Sequence, residues 1–340
     1  MQEVLRQWAK FEQEDLRPCH VGLINETWFV GETPSAVLQK IHPIFGRDVH
    51  LDIAAITSHL CAKRILTPQL IRTNAGQWSY EDETGAVWRM MTFIPGVTVE
   101  RVENDSMAFE AGKLVGRWHK AVDDLPHVFH FQRSGVHDTL GHMQRLEQSL
   151  NEHKSHRLYD AVERAAHSVL KRWSQWKGTL SGHLRICHGD LKISNLRFDE
   201  GGQGVCLLDL DTMGYMALDV EMGDAWRSWC NSGGEDQTES SFNTSLFEAS
   251  LRGYCSSRRL ASEEREGLEW GTERIALELA ARFLVDALEE SYFGWDSTRF
   301  TTRGEHNLLR GEGQVSLARS IEEKRAEITR IAGRVISAVD

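Results

Sequence analysis

Over its first ninety or so residues the chain alternates apolar with polar positions, then moves to the three- and four-residue spacing of helices. Residues 27–32 (Thr-Trp-Phe-Val-Gly-Glu) and 35–41 (Ser-Ala-Val-Leu-Gln-Lys-Ile) have the β-branched and aromatic content of half-buried strands. A further strand is expected at 15–22, with Gly22-Leu23-Ile24-Asn25-Glu26 as a hairpin loop. Residues 78–80 and 86–94 pair across Glu81-Asp82-Glu83-Thr84-Gly85. Short helices are expected at 2–9 and at 52–65, the latter from Ile53, Ile56 and Leu60. Pro95-Gly96 then breaks the chain. Beyond it the pattern is mainly helical, at 106–121, 141–150, 155–177, 240–257, 262–292 and 313–338, with short strands near 184–187 and 204–208. The expected fold is therefore α+β and bilobal, a small β-rich lobe over 1–93 followed by a larger helical lobe over 94–340.

The candidate chemistry lies at the ends of those short strands. Leu184-Arg185-Ile186-Cys187 runs into His188-Gly189-Asp190-Leu191-Lys192-Ile193-Ser194-Asn195, and Gly204-Val205-Cys206-Leu207-Leu208 runs into Asp209-Leu210-Asp211. An Asp, an Asn five residues on and a second Asp nineteen residues after the first is the order in which eukaryotic-like kinases set out a catalytic base and two magnesium ligands. Phosphoryl transfer needs an acceptor hydroxyl held in line and cations to neutralise the phosphate oxygens. Asp190 is then the candidate base, with Asn195 and Asp209 as candidate Mg²⁺ ligands. Side chains two apart on a strand share a face, so Asp211 is expected to join Asp209 at the metal. Lys192, inside the same motif, is assigned to the nucleotide.

The first lobe is less clearly marked. Gly22 is the one glycine in a tight phosphate-loop position, and it serves a plain hairpin equally well. Asn25 and Thr27 offer donors to phosphate oxygens. Where a V-A-I-K lysine belongs on the third strand stands Gln39, with Lys40 one residue on and facing the other side. Either a bulge turns Lys40 inward or the nucleotide meets a neutral donor. The 52–65 helix has no Glu to pair with such a lysine. Met91 to Ile94, including Phe93, is the expected hinge for adenine.

Two polar clusters follow the metal motif. Glu221, Asp224 and Arg227 share a helix face; Asp224 and Arg227 form either an intrahelical ion pair or a substrate contact. Arg303, Glu305, His306, Asn307 and Arg310 lie beyond Tyr292-Phe293-Gly294-Trp295. Donors beside aromatics suit a sugar, and a solvated loop explains them as well.

Composition narrows the class. The 340 residues are 41% hydrophobic and 26% charged, ordinary for a globular protein with two lobes. The formal net charge of −11 disfavours a nucleic-acid or anionic-membrane partner. No apolar run is long enough to span a membrane. Six scattered cysteines without a C-x-x-C suggest neither a zinc framework nor disulfides, and a cytoplasmic setting is expected.

The His188–Asn195 and Asp209 motifs resemble the aminoglycoside phosphotransferase/choline kinase-like superfamily, in which Gly replaces the Arg of the protein-kinase H-R-D. A further resemblance, to the N-acetylhexosamine 1-kinase group, runs through Gly22–Thr27, Val37–Ile41, Asp209–Thr212, Gly223–Arg227 and Arg303–Leu308. That group's third strand reads like V-L-Q, which makes Gln39 expected. The resemblance implies ATP and Mg²⁺ as cofactors and a sugar or amino sugar as the small-molecule acceptor, with Arg303 or Arg310 as substrate contacts; Asp224, Arg227 and His306 are further candidate substrate-binding residues. Met213-Gly214-Tyr215-Met216 departs from the Pro-Gly turn of that group. An aminoglycoside or other hydroxylated metabolite is the alternative acceptor, and a catalytically silent nucleotide-binding protein is the alternative of another class.

Overall fold

On the third strand Ala36, Leu38 and Lys40 face one way and Val37, Gln39 and Ile41 the other, and this alternation organises the whole first lobe. The computed structural model describes residues 1–19, 24–133, 135–180, 182–265 and 267–339; the Gly22 assignment lies outside them. Six strands, β1 (Leu16–Cys19), β2 (Glu26–Val30), β3 (Ala36–Ile41), β4 (Leu70–Ile71), β5 (Tyr80–Glu81) and β6 (Val87–Thr92), form one sheet in the order β1-β2-β3-β6-β4, with β5 on β6. The short β4 has too few residues to register as an alternating pattern. All pairings are antiparallel. The outer face carries Val30, Ala36, Leu38, Trp88 and Met90, covered by Val4, Leu5, Trp8 and Phe11. Those four come from α1 (Gln2–Leu5) and the turn after it, a shorter helix than the 2–9 pattern suggests. The inner face places Ile41 and Met91 against α2 (Val49–Ala62) and the main core.

The helical part begins with α3 (Asp105–Val122), α4 (Thr139–Glu152) and α5 (Tyr159–Gln175), followed by four short strands. Of these, β7 (Leu184–Cys187) pairs with β10 (Gly214–Ala217), and β8 (Leu196–Phe198) with β9 (Gly204–Leu207). Then come α6 (Leu218–Trp229), α7 (Thr244–Ser257), α8 (Ser262–Arg265), α9 (Leu268–Glu289), α10 (Arg303–Glu323) and α11 (Arg325–Ser337). The single helix expected over 262–292 is divided where Gly267 takes φ 81°, a conformation that interrupts right-handed helix. The single helix expected over 313–338 is two: the first starts ten residues earlier, at Arg303, where the Thr302 side chain caps it, and ends at Glu323, and the second runs over Arg325–Ser337. The polar cluster at 303–310 is thus the opening of a helix, not a loop. Central to this half is α9, buried along most of its length against α4, α5, α6 and α10. Among the described residues no helix is long and apolar enough to cross a membrane.

The two halves are stitched just after β6. Val97 and Phe198 exchange both backbone hydrogen bonds at 2.8 Å, and Arg197 Nε donates to the Ile94 carbonyl at 3.1 Å. The β8–β9 hairpin is therefore tied directly to the chain leaving the sheet.

Candidate active site

The loop after β7 is held from behind by α6. Glu221 accepts the backbone N–H of His188 at 2.8 Å and of Gly189 at 3.0 Å. Trp229 Nε1 donates to the Leu191 carbonyl at 2.7 Å, and Ser228 Oγ accepts the Ile193 N–H at 3.1 Å. Burial pushes the Glu221 carboxyl up to about 7. His188 is neutral, since burial lowers its pKa. Its Nε2–H donates to the Leu208 carbonyl at 2.7 Å, while Nδ1 accepts the Asp190 N–H at 3.3 Å. Gly189 adopts φ 83°, and a Cβ there would stand 2.2 Å from the Thr212 carbonyl. No other residue fits.

These contacts present Asp190, Lys192 and Asn195 together. Lys192 Nζ lies 2.8 Å from Asp190 Oδ2, and Asn195 Nδ2 donates to the same oxygen at 3.0 Å and to the Asp190 carbonyl at 2.8 Å. Burial works against the Asp190 charge, but Lys192 outweighs it and holds the carboxyl below the usual range. Burial likewise opposes the Lys192 charge, and Asp190 and Asp209 keep the ammonium above its usual range.

Across from them the second motif is folded differently from its strand-like sequence. β9 stops at Leu207, Asp209 takes the left-handed conformation at φ 60°, and Leu210–Thr212 is a 3₁₀ turn. Asp209 and Asp211 therefore do not share a strand face. No side-chain hydrogen bond or ion pair reaches Asp209 among the described residues; burial, Asp211 and Asp190 push its carboxyl up to about 6. Asp211 is fully engaged instead. Arg89 grips both of its oxygens, through Nη1 on Oδ1 and through Nη2 at 2.8 Å from Oδ2, and Asn25 Nδ2 adds a bond of 2.7 Å. Both members of the ion pair are sealed, with side-chain exposures of 1% and 0%. Burial alone would raise Asp211, and Arg89 reverses it. The corner has the chemistry of a divalent-cation site: one unpartnered carboxylate at Asp209 and the Oδ1 of Asn195, both hard oxygen donors of the kind Mg²⁺ prefers. Asp211, with both oxygens held by nitrogen donors, is a poorer ligand than Asp209 in this arrangement.

The sheet contributes a cross-strand row. Thr27, Gln39 and Arg89 are register partners on β2, β3 and β6. Gln39 Oε1 accepts Arg89 Nε at 2.9 Å, and its Nε2 donates to Thr27 Oγ1 at 3.3 Å. The register of β3 runs without a bulge, so Lys40 stays on the opposite face, 3.1 Å from Glu26 and over the Trp88 ring. The cation facing the second motif is Arg89, which the sequence reading did not single out. Its signal was the cross-strand register, visible only once β3 and β6 are paired. His50, at the start of α2, was also missed; burial and Arg89 bring its pKa down to about 4, and its Nε2 has no hydrogen-bond partner. Met91 lies inside the ladder, register-paired to Val37 and Leu70, so the chain becomes free of the sheet only near Phe93. Phe93 meets Phe29 edge-on and stacks under Arg197.

On the far side, Arg227 binds Asp224 at 3.0 Å and Glu235 at 3.1 Å, which makes the ion pair real. Asp236, next in the chain, accepts Arg310 Nε at 2.9 Å and lies 3.0 Å from His306 Nε2. Arg310 Nη1 reaches the Gly294 carbonyl at 2.8 Å, and Arg303 Nη1 the Glu290 carbonyl at 3.1 Å. The structure thus joins Asp224 and Arg227 to His306 and Arg310 through Glu235 and Asp236, and leaves Arg303 on a separate contact.

A family model described as the phosphotransferase enzyme family matches residues 15–266. The chain belongs to that family. This phosphotransferase is also similar to solved small-molecule kinases. A microcompartment-associated aminopropanol kinase is 15% identical, with a TM-score of 0.64 over 95% of this chain and 97% of that one. An aminoglycoside phosphotransferase from Alicyclobacillus acidocaldarius subsp. acidocaldarius DSM 446 is 13% identical, with a TM-score of 0.60 over 96% of each chain. An amicoumacin kinase in complex with AMP-PNP, Ca²⁺ and Ami is 15% identical, with a TM-score of 0.59 over 92% of this chain and 89% of that one. At such identities the likeness speaks to the fold, and it places this phosphotransferase among kinase-like α+β proteins with a β-rich sheet first and helices after it.

Proposed function

We propose that this phosphotransferase moves the γ-phosphoryl group of ATP, with Mg²⁺, onto a hydroxyl of a neutral small molecule, an amino sugar of the N-acetylhexosamine kind. The observation that carries this reading is Asp190, held by Lys192 and Asn195, beside the unpartnered Asp209. Asp190, kept ionised by Lys192, accepts the proton of the acceptor hydroxyl. Lys192 is within reach of the phosphoryl group that the hydroxyl attacks. Mg²⁺ at Asp209 and Asn195 would neutralise charge on the phosphate oxygens. The adenine lies against Phe93 and Ile94, and Thr27 and Gln39 offer neutral donors beneath the sheet.

The preference for a neutral acceptor rests on charge pairing. Asp224 has Arg227 at 3.0 Å, Glu278 has His137 at 3.0 Å and Asp236 has Arg310 at 2.9 Å. Each of these three carboxylates already has a cationic partner, so a polycation gains little from them. The net charge of −11 favours the second reading, an aminoglycoside, through long-range attraction. Purified chain with ATP and Mg²⁺ is to be screened against N-acetylglucosamine, N-acetylgalactosamine, glucose, an aminoglycoside and choline. Transfer to an N-acetylhexosamine is expected, and transfer to the aminoglycoside alone overturns the acceptor assignment. Asp190→Ala should lose roughly 10²–10⁴ in rate and keep its nucleotide affinity; a wild-type rate overturns the base assignment.

A further inference from the structure

Asp52 and two histidines 75 and 78 residues further on, none of them in the catalytic set, converge where α2 meets the segment before α4. Asp52 Oδ1 lies 2.8 Å from His127 Nε2 and 3.0 Å from His130 Nδ1, and it also accepts the His130 backbone N–H at 2.9 Å. Asp52 Oδ2 accepts the Phe131 N–H at 2.9 Å. A carboxylate oxygen has two lone pairs, so Oδ1 faces three nitrogens with room for two.

We propose that this cluster is a transition-metal site that takes Zn²⁺, with Asp52 Oδ1, His127 Nε2 and His130 Nδ1 as its ligands. A cation at the centre lets each imidazole turn a lone pair inward in place of an N–H. Oδ1 then keeps one metal bond and one backbone N–H, and its capacity is no longer exceeded. Two histidines and a carboxylate, with a fourth position for water, is an established zinc arrangement. Bonds of about 2.0–2.2 Å set tetrahedral ligand atoms roughly 3.4 Å apart, so the two Asp52–histidine spacings need to open by a few tenths of an ångström, and all three ligand atoms already lie within 4.8 Å of one another.

The surroundings suit the role. The His127 side chain is 8% exposed and that of His130 51%, which gives one closed wall and one open approach for ion and water. The Phe131 N–H fixes the oxygen of Asp52 that does not bind, as outer partners of metal ligands do. The segment is anchored at its other side, because Tyr215 on β10 donates to the His127 carbonyl at 2.7 Å and Phe129 packs edge-on against that ring. A bound ion would join α2, whose first turn carries His50, to a segment fastened to β10, the strand paired with β7 ahead of the Asp190 loop. The metal acts as a structural staple and takes no part in phosphoryl transfer.

The test uses the full chain, stripped with a chelator and titrated with Zn²⁺ against a chromogenic competitor. Excess Mg²⁺ keeps Asp209 and Asn195 occupied. The wild type is expected to take up one tight equivalent and to melt at a higher temperature with Zn²⁺ than without. His130→Ala, at a half-exposed position, should weaken binding at least about tenfold and abolish the thermal shift. His130→Cys, which restores a ligand, should bind again. A wild type with no tight equivalent, or a His130→Ala protein that binds as the wild type does, reduces the cluster to a hydrogen-bonded loop cap and overturns the proposal.

Discussion

Replacing Arg89 by Met tests a fully buried ion pair that crosses from the sheet to the helical half. Arg89 gives Asp211 two charge-assisted hydrogen bonds and Gln39 a third, with both charged side chains sealed from water. Removing one partner of such a pair typically costs about 3–5 kcal/mol, because the remaining charge is stranded. Asn25 still donates to Asp211, which places the expected loss near the lower end, about 3 kcal/mol. With an m-value of about 3 kcal/mol/M in urea, the unfolding midpoint should fall by about 1 M. The eleven tryptophans, Trp88 next to the substitution among them, give the fluorescence signal.

The loss should also depend on pH. In the wild type Arg89 overcomes burial and holds Asp211 below its usual range, so that stability is present above the unfolded pKa near about 3.9 and fades only in acid. In Arg89→Met the largest opposing influence is gone, and burial, countered only by the smaller effects of Asn25 and His50, is expected to raise Asp211. Its contribution is then present only at low pH and disappears as pH rises. The gap between the two proteins should therefore widen from pH 5 to pH 8. Arg89→Met/Asp211→Asn, which removes both charges, should recover part of the loss. A single variant that unfolds at the wild-type midpoint, or a double variant no better than the single, refutes this reasoning.

The other expectations concern the catalytic loop. Asp209→Ala should weaken Mg·ATP binding, measured by calorimetry, far more than it weakens binding of nucleotide without metal; equal effects count against the metal role. Lys192→Met removes the charge that keeps Asp190 low, so the acidic limb of the kcat/KM profile should move to higher pH. Burial raises Glu221 to about 7, so its contribution to stability is complete below its unfolded range and is lost as pH rises through 7. Urea midpoints of the wild type should therefore decline between pH 5 and pH 8 relative to Glu221→Gln, and parallel curves would contradict the assignment. Gly189→Ala, forced toward the Thr212 carbonyl, should destabilise by more than about 1 kcal/mol and depress kcat more than KM.

Much of this arrangement was legible in the chain. The two-residue alternation marked β2, β3 and β6, and the spacing of Asp190, Asn195 and Asp209 depends on local chain geometry that sequence order preserves. What escaped notice depends on register or on distance. Arg89 looks like any outward strand residue until pairing sets it opposite Gln39. The apolar run into Asp209 reads as strand, yet Asp209 takes the left-handed conformation at φ 60° and a 3₁₀ turn follows it. Asp52 and His127 stand 75 positions apart, and no local pattern connects them. The cluster at 303–310 resembled a loop because helix opening and loop share a polar vocabulary, and only the Thr302 cap separates them.

The doubled backbone bond between Val97 and Phe198 has a consequence for how long a substrate must be. In the proposed function the purine would contact Phe93–Ile94 and the cation would sit on Asn195 and Asp209, and the bonds of Ile94 and Val97 to the β8–β9 hairpin would limit how far those two places drift apart. The stitch would then serve as a gauge, with nucleotides of different phosphate length meeting the cation ligands differently.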